Sequence, residues 1–282
     1  MNIFKKFSIT GVLAVLFGLA ITSPVMAATA PTLVGSAPYS VLGGQAVTCT
    51  GATTTAGAVG VSPGTSITGF PTPCTALGGT HSNDASAIAA TADSLTAFGA
   101  LDQTCTATYG AVDLTATFPS GVGPGVYCST SSFTLTGNLT LTGSGVWIFK
   151  TVSTLITSPG SSITGGTPCS VWWRIGSSAT LATTTSFIGN ILMYQDATLN
   201  TGATLNGRVL GQAGSTVTLA ANTISYTGCG SIATVAVVPT LPNTGLAPRI
   251  QGNYLWQELV TTATILLALS LYLVGKKNSS QQ

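Results

Sequence analysis

Along one stretch of this chain a four-residue pattern returns at a fixed interval. Thr180-Leu181-Ala182-Thr183 recurs as Thr198-Leu199-Asn200-Thr201 and again as Thr216-Val217-Thr218-Leu219, two equal steps along the sequence. The match extends past the apolar core of the pattern: Phe187, Leu205 and Thr223 align, then Ile188, Asn206 and Ile224, then Gly189 and Gly207. An earlier relative, Thr154-Leu155-Ile156-Thr157, precedes the first copy by a longer step, with the extra eight positions assigned to the loop between Pro159 and Pro168. Short alternating segments of Thr, Val, Ile and Leu, cornered by Gly or Asn at such a period, predict a parallel β-solenoid with about three strands per coil. Stacked coils pair at about 4.7–4.9 Å and turn equivalent side chains into ladders. Leu155, Leu181, Leu199 and Val217 are expected to point inward, and Thr180, Thr198 and Thr216 outward. An antiparallel β-sandwich is compatible with the strand spacing but does not require the sustained register.

One segment departs from the β pattern. Asn83 to Asp102 has no Pro and a single Gly, is rich in Ala, and sets Ile88, Leu95, Phe98 and Leu101 at helical spacing. This predicts one amphipathic helix, capped by Ser82 or Asn83, with its apolar stripe on the flank of the solenoid.

Charge is nearly absent, at 5% of residues. Between Ala28 and Thr244 there are three cations (Lys150, Arg174, Arg208) and five anions (Asp84, Asp93, Asp102, Asp113, Asp196), a formal 3 − 5 = −2. Eight Lys and Arg in the whole chain exclude nucleic-acid binding, and a 45% hydrophobic fraction excludes a disordered chain. Threonine, the most frequent residue type of that span, takes the surface role that charge usually plays.

The same scarcity argues against catalysis. Four of the five Asp residues fall between 84 and 113, three on the predicted helix, where they read as solvated positions. His81 is the sole histidine and has no nucleophile motif near it. Cleavage of polysaccharide on a β-helix needs carboxylates and bases clustered on one face, and these are missing. Gly121-Val122-Gly123-Pro124-Gly125 has Pro where a phosphate loop needs N–H donors, and reads as a turn. Trp147, Trp172 and Trp173 could form a sugar platform, but their apolar, strand-like surroundings favour packing. No enzyme, metal or cofactor is expected.

Six cysteines (Cys49, Cys74, Cys105, Cys128, Cys169, Cys229) form an even set without CxxC spacing, so disulfides are expected rather than zinc. Fifteen connectivities are open to six cysteines; nearest-neighbour closure pairs 49 with 74, 105 with 128 and 169 with 229.

Both ends read as processing signals. Lys5 and Lys6, the apolar run Ile9 to Ile21 and Val25-Met26-Ala27 make residues 1–27 a secretory leader. The expected order is then a solenoid domain over 28–230, a linker over 231–240 and a terminal segment over 241–282. In the last, Leu241-Pro242-Asn243-Thr244-Gly245 precedes an apolar run from Leu259 to Val274 and Lys276-Lys277. That order resembles the sorting signal of sortase substrates. It implies cleavage between Thr244 and Gly245, transient membrane contact, attachment to cell-wall peptide and a place on the surface of a Gram-positive-type microbe. A plain membrane anchor is the alternative.

Several blocks taken together carry a second resemblance. Gly60-Val61-Ser62-Pro63-Gly64-Thr65, Pro124-Gly125-Val126-Tyr127, Val146-Trp147-Ile148-Phe149, Cys169-Ser170-Val171-Trp172-Trp173-Arg174-Ile175 and Leu199-Asn200-Thr201-Gly202-Ala203-Thr204-Leu205-Asn206-Gly207-Arg208 are similar to the ice-binding-like family of microbial antifreeze proteins, over about Leu33 to Cys229. The resemblance implies an all-β-dominated fold, a discontinuous right-handed parallel β-helix with three faces and one long α-helix alongside. It implies adsorption to an ice crystal surface with no enzymatic activity. Some members carry T-[AG]-x-[TN] near the ice face; Thr201-Gly202-Ala203-Thr204 and Thr50-Gly51-Ala52-Thr53 fit, while Thr183-Thr184-Thr185-Ser186 and Leu219-Ala220-Ala221-Asn222 fit in part. The expected ice contacts are Thr180, Thr183, Thr198, Asn200, Thr201, Thr204, Thr216 and Thr218, on a monomer. A wall adhesin or structural surface protein binding polysaccharide or another cell, without ice affinity, is the alternative.

Overall fold

The computed structural model describes residues 27–227. The leader, the end of the expected domain, the linker and the terminal segment lie outside the described residues, apart from Ala27. The strands form three parallel sheets of nine, eight and seven members, here called A, B and C. Tyr39–Gly43 lies in A, Ala46–Thr50 in B and Thr54–Thr55 in C, and the cycle repeats along the chain, so each circuit makes one coil.

Spatial order departs from chain order at one junction. Val41 pairs with Val209, Val47 with Val217 and Thr54 with Thr223, so the first coils stack beyond the last. The chain must then return to the far end. Nine strands in sheet A are eight steps, about 38 Å at about 4.8 Å each. A helix, α1 (Ala85–Ala100), covers about 24 Å of that at about 1.5 Å per residue. The helix connects Thr80–Ser82 at one edge of sheet A to Ala107–Tyr109 at the other.

Sheet A is buried on both sides, which explains its unbroken apolar runs. Inward, Val41, Val209, Ile191, Trp173, Phe149 and Tyr127 share one register. Their rings stack, Phe149 on Trp173 at 4.2 Å and on Tyr127 at 5.5 Å between centroids. Outward, Leu42, Leu210, Leu192, Trp172, Ile148 and Val126 pack against Ala90, Ala97, Phe98 and Leu101. All three tryptophans of the middle region are therefore packing residues, as the strand-like surroundings predicted.

The helix differs from expectation in two respects. Its cap is Asp84, whose Oδ1 accepts from the Ala87 amide at 2.9 Å, rather than Ser82 or Asn83. Its buried face is Ala87, Ala90, Ser94, Ala97 and Phe98, while Ile88 and Leu95 are 52% and 54% exposed. Large side chains already stand outward from sheet A, so the helix approaches mainly on small residues, with the expected Phe98 and Leu101 buried at its C-terminal end. Nor are the helix aspartates simply solvated. Asp93 accepts from the Gly35 amide at 2.8 Å, and Asp84 also contacts His81 Nδ1 at 2.7 Å. Asp102 holds Lys150 Nζ at 2.8 Å and lies 3.9 Å from Arg174, whose guanidinium covers the Phe98 ring.

The register also corrects the repeat. Thr180 pairs with Thr198 as expected, but Thr198 pairs with Thr218 rather than Thr216, and Ile156 with Thr180. The coil after the central one is thus longer by two positions and the coil before it by six. Leu155 and Val217 therefore align with Ala179 and Ala197, not with Leu181 and Leu199. All of them still point inward, because a shift by an even number of positions preserves the face. In sheet C, Leu205 pairs with Ile224 and Asn206 with Ser225; this slip by one position buries Ile224 and exposes Thr223. The insertion in the earlier coil is six residues, not eight. Ser162 still pairs with Ser186 at the long offset, whereas in the next strand of sheet A Trp173 pairs with Ile191 at the short one, placing the insertion in loop 165–170.

Disulfides join Cys49 to Cys74 and Cys105 to Cys128, as nearest-neighbour closure predicted. Cys169 is disulfide-bonded too, and its expected pairing with Cys229 lies outside the described residues. Each of the two described bridges ties a solenoid coil to the coil or loop beside it, closing a sequence separation of 25 and 23 residues.

Two outcomes follow for stability. Trp173→Ala removes the centre of the aromatic stack and should cost about 3–5 kcal/mol, read from urea unfolding. Asp102 is held below the usual carboxylate range, first by the Lys150 hydrogen bond and then by the Arg174 charge. Its folded pKa lies below its unfolded one, so its contribution is present at neutral pH and is lost as pH falls through the folded value. Across a series of unfolding midpoints from neutral to acid pH, Asp102→Asn should flatten the acid-side loss.

Candidate functional site

Sheet A is covered by α1, which leaves sheets B and C as the open faces. In sheet B the residues between inward positions form one column: Thr68, Thr48, Thr218, Thr198, Thr180, Ile156, Thr134, Asp113. Five consecutive coils thus carry threonine at one height. Each neighbours its equivalent at about 4.8 Å, the spacing of paired strands. The β-branched side chain suits a strand and is restricted at χ1, so hydroxyl and methyl are held in place.

What distinguishes these five from other threonines is how their hydroxyls are used. Thr134 Oγ1 donates to the Val112 carbonyl at 3.3 Å and Thr136 Oγ1 to Asp113, consuming both groups within the protein. Among the described residues, Thr48, Thr68, Thr180, Thr198 and Thr218 make no side-chain hydrogen bond. Their hydroxyls are left for water. The column ends where Ile156, 46% exposed, replaces hydroxyl with hydrocarbon.

The corner between sheets B and C repeats a second device. Gly160, Thr184, Gly202, Ala221 and Gly51 all have positive φ, from 50° to 72° for four of them and 74° for Gly202. They follow one another from coil to coil: the Gly160 amide bonds Thr183 O, Thr184 N bonds Thr201 O, Gly202 N bonds Ala221 O and Ala221 N bonds Thr50 O. Glycine suits this left-handed turn, which is the physical content of its place in Thr201-Gly202-Ala203-Thr204. In four of these coils the next residue (Ser161, Thr185, Ala203, Asn222) turns inward and is buried. Asn222 fastens the corner, its Oδ1 accepting from Ala220 N at 2.6 Å and its Nδ2 donating to the carbonyls of Asn200 and Ala203 at 2.9 and 3.1 Å. The equivalent of Thr201-Gly202-Ala203-Thr204 in this coil is therefore Ala220-Ala221-Asn222-Thr223, one position beyond the expected alignment.

The eight residues expected to act together are divided by this geometry. Thr180, Thr198 and Thr218 stand in the sheet B column. Thr216 lies in the same sheet beside Ala46, two positions before the column, and its amide is held by Asp196 Oδ1 at 2.8 Å. Asn200 lies just past the end of the Ala197–Leu199 strand, Thr183 and Thr201 sit on the corner, and Thr204 belongs to sheet C. Thr48 and Thr68 were not expected. They lie in the first coils, at the opposite end of the described chain from Thr218, where the sequence repeat does not reach.

No three or more His, Cys, Asp or Glu side chains gather among the described residues. The chain belongs to the ice-binding-like family, whose model matches residues 41–225, and members of this family are not enzymes. It is 38% identical to an ice-binding protein of Nostoc sp. (strain HG1) over 256 residues, 88% of this chain and 92% of that protein. Among solved structures, the ice-binding protein of the Antarctic ascomycete Antarctomyces psychrotrophicus is 37% identical with a TM-score of 0.64, covering 70% of this chain and 98% of that one. An ice-binding protein from an Antarctic biological consortium is 36% identical at the same TM-score, over 71% and 92%. The β-helical fold with its accompanying helix is thus the one shared with these proteins.

Asn222→Ala would leave three backbone groups of the corner without their partner. It should lower stability by about 1–3 kcal/mol, measured as a shift in the denaturant midpoint at constant slope.

Proposed function

We propose that this protein adsorbs to ice through sheet B, with Thr48, Thr68, Thr180, Thr198 and Thr218 as the principal contacts and Thr216, Asn200, Thr183 and Thr201 along the margin. The observation that carries the reading is the column of five threonines in consecutive coils whose hydroxyls are not used by the protein. Their hydroxyls hydrogen-bond to water while their methyls order it, and the rigid sheet meets no entropy cost of arranging them on contact. A nearly uncharged surface also suits a neutral crystal. Ice growing between adsorbed molecules must bulge, which lowers its freezing point and blocks recrystallisation. The relatives named above, all ice-binding proteins, support the assignment.

The leader-like segment 1–27 and the disulfides support an extracellular protein. The 241–282 segment supports attachment to the wall by a sortase acting between Thr244 and Gly245, which gives the molecule a local role: holding the cell to ice or shaping the brine around it. A surface adhesin without ice affinity is the second reading. It is favoured by an open apolar groove of about 460 Å³ beside α1, where Ile88, Leu95 and Tyr194 are exposed.

Thr198→Tyr with Thr218→Tyr should abolish crystal shaping and recrystallisation inhibition while leaving the thermal unfolding midpoint unchanged. Full activity in that double variant would overturn the choice of sheet B. Freely growing, round crystals with the folded wild-type protein would favour the adhesin, and binding to neutral glycans would then be measured.

A further inference from the structure

Sheet C carries a ladder of its own. Ser186 pairs with Thr204, Thr204 with Thr223, Thr223 with Thr54 and Thr54 with Thr75. All five side chains are exposed, and among the described residues none of them makes a side-chain hydrogen bond. The ladder continues to Ser162 and Asn138, but there the groups bond one another, Ser162 Oγ to Asn138 Oδ1 at 2.9 Å and Asn138 Nδ2 to Thr140 Oγ1 at 3.2 Å. The free hydroxyls thus stop at Ser186. In sheet B they stop at Thr180, in the same coil.

The two ladders therefore occupy the same five coils, and in four of them the left-handed corner at Thr184, Gly202, Ala221 or Gly51 carries the chain from one to the other. Thr201-Gly202-Ala203-Thr204 spans that passage: Thr201 lies on the edge, Gly202 turns, Ala203 is buried and Thr204 opens onto sheet C. None of the five strands in sheet C bears a charged residue, and the one aromatic ring among them, Phe187, is buried. A phosphate or an ionic glycan would find no counter-charge there. A flexible neutral chain would have to give up its own freedom to match a row of single hydroxyls. A partner that already repeats in space does not.

We propose that sheet C is a second ice-contacting face, with Ser186, Thr204, Thr223, Thr54 and Thr75 as its contacts. The inference rests on sheet B being an ice face, since unpartnered hydroxyls are the basis of both. Sheet C is narrower, its strands two or three residues long where those of sheet B reach five, so it makes the smaller contact. The two sheets meet at a corner and are not coplanar. A flat crystal face meets one of them at a time, and the protein docks in two orientations on two families of ice plane.

The test is adsorption of a fluorescent fusion of the full chain to a single ice hemisphere, compared among wild type, Thr198→Tyr with Thr218→Tyr on sheet B, Thr204→Tyr with Thr223→Tyr on sheet C, and all four together. The wild type should mark two sets of planes, each pair should remove one set, and the fourfold variant should mark none. If the sheet C pair marks the same planes as wild type and the sheet B pair marks none, sheet C is not an ice face and the reading of sheet B stands. If the wild type marks no plane, the reading of sheet B falls and this inference with it. Should a tyrosine pair melt below wild type, Thr204→Val with Thr223→Val removes the same hydroxyls at nearly constant shape, and its planes are read by the same rule.

Discussion

The structure depends on the backbone pairing that seats the first coils against the last. Val41 beside Val209 and Val47 beside Val217 join opposite ends of the described chain, and everything else is arranged to make that closure possible. A solenoid that merely ran from end to end would have no helix. This one has to carry the chain back along its full length, and the helix is the segment that does so while covering the outer side of sheet A. The small residues on the buried face of α1 and the two-sided burial of sheet A are consequences of that route. So is the open face, because Thr48 and Thr68 reach the sheet B column only through the same closure.

Scarcity of charge has a structural as well as a functional meaning. The few ionic groups are spent on holding elements in place: Asp84 caps α1, Asp93 accepts from Gly35, and Asp102 joins Lys150 and Arg174 where the helix ends. That leaves the outward ladders of five successive coils in sheets B and C to threonine and serine. Such side chains satisfy water without organising ions, and in a strand they stand at regular height. The proposed contact surface is in this sense a by-product of the repeat, offered wherever the hydroxyls have no partner inside the protein.

Much of the fold was legible. The repeat predicted a parallel solenoid because inward residues must recur once per coil, and the absence of Pro, the single Gly and the Ala-rich, helically spaced pattern of 83–102 predicted the helix. Alternation also placed Thr180 and Thr198 outward correctly. The errors came from corners. Coils differ in length because their loops do, and an alignment at constant period sets Thr216 where Thr218 stands. Half of the helix stripe, Phe98 and Leu101, is buried as expected, and the other half departs for a different reason. Ile88 and Leu95 have the right spacing to be buried, but the side chains already occupying sheet A decide which face can come close.

By itself the sequence settled the class of structure, the scarcity of titratable chemistry and the parity of each strand, since these follow from local periodicity and residue type. It also held the disulfide neighbours, because coils adjacent in sequence are mostly adjacent in space. Only the tertiary structure decided which threonines share a column, that the column draws on both ends of the described chain, and that the left-handed corner divides the hydroxyls between two faces. Those properties depend on register between segments far apart in sequence, and register is set by how whole coils stack rather than by any residue within one.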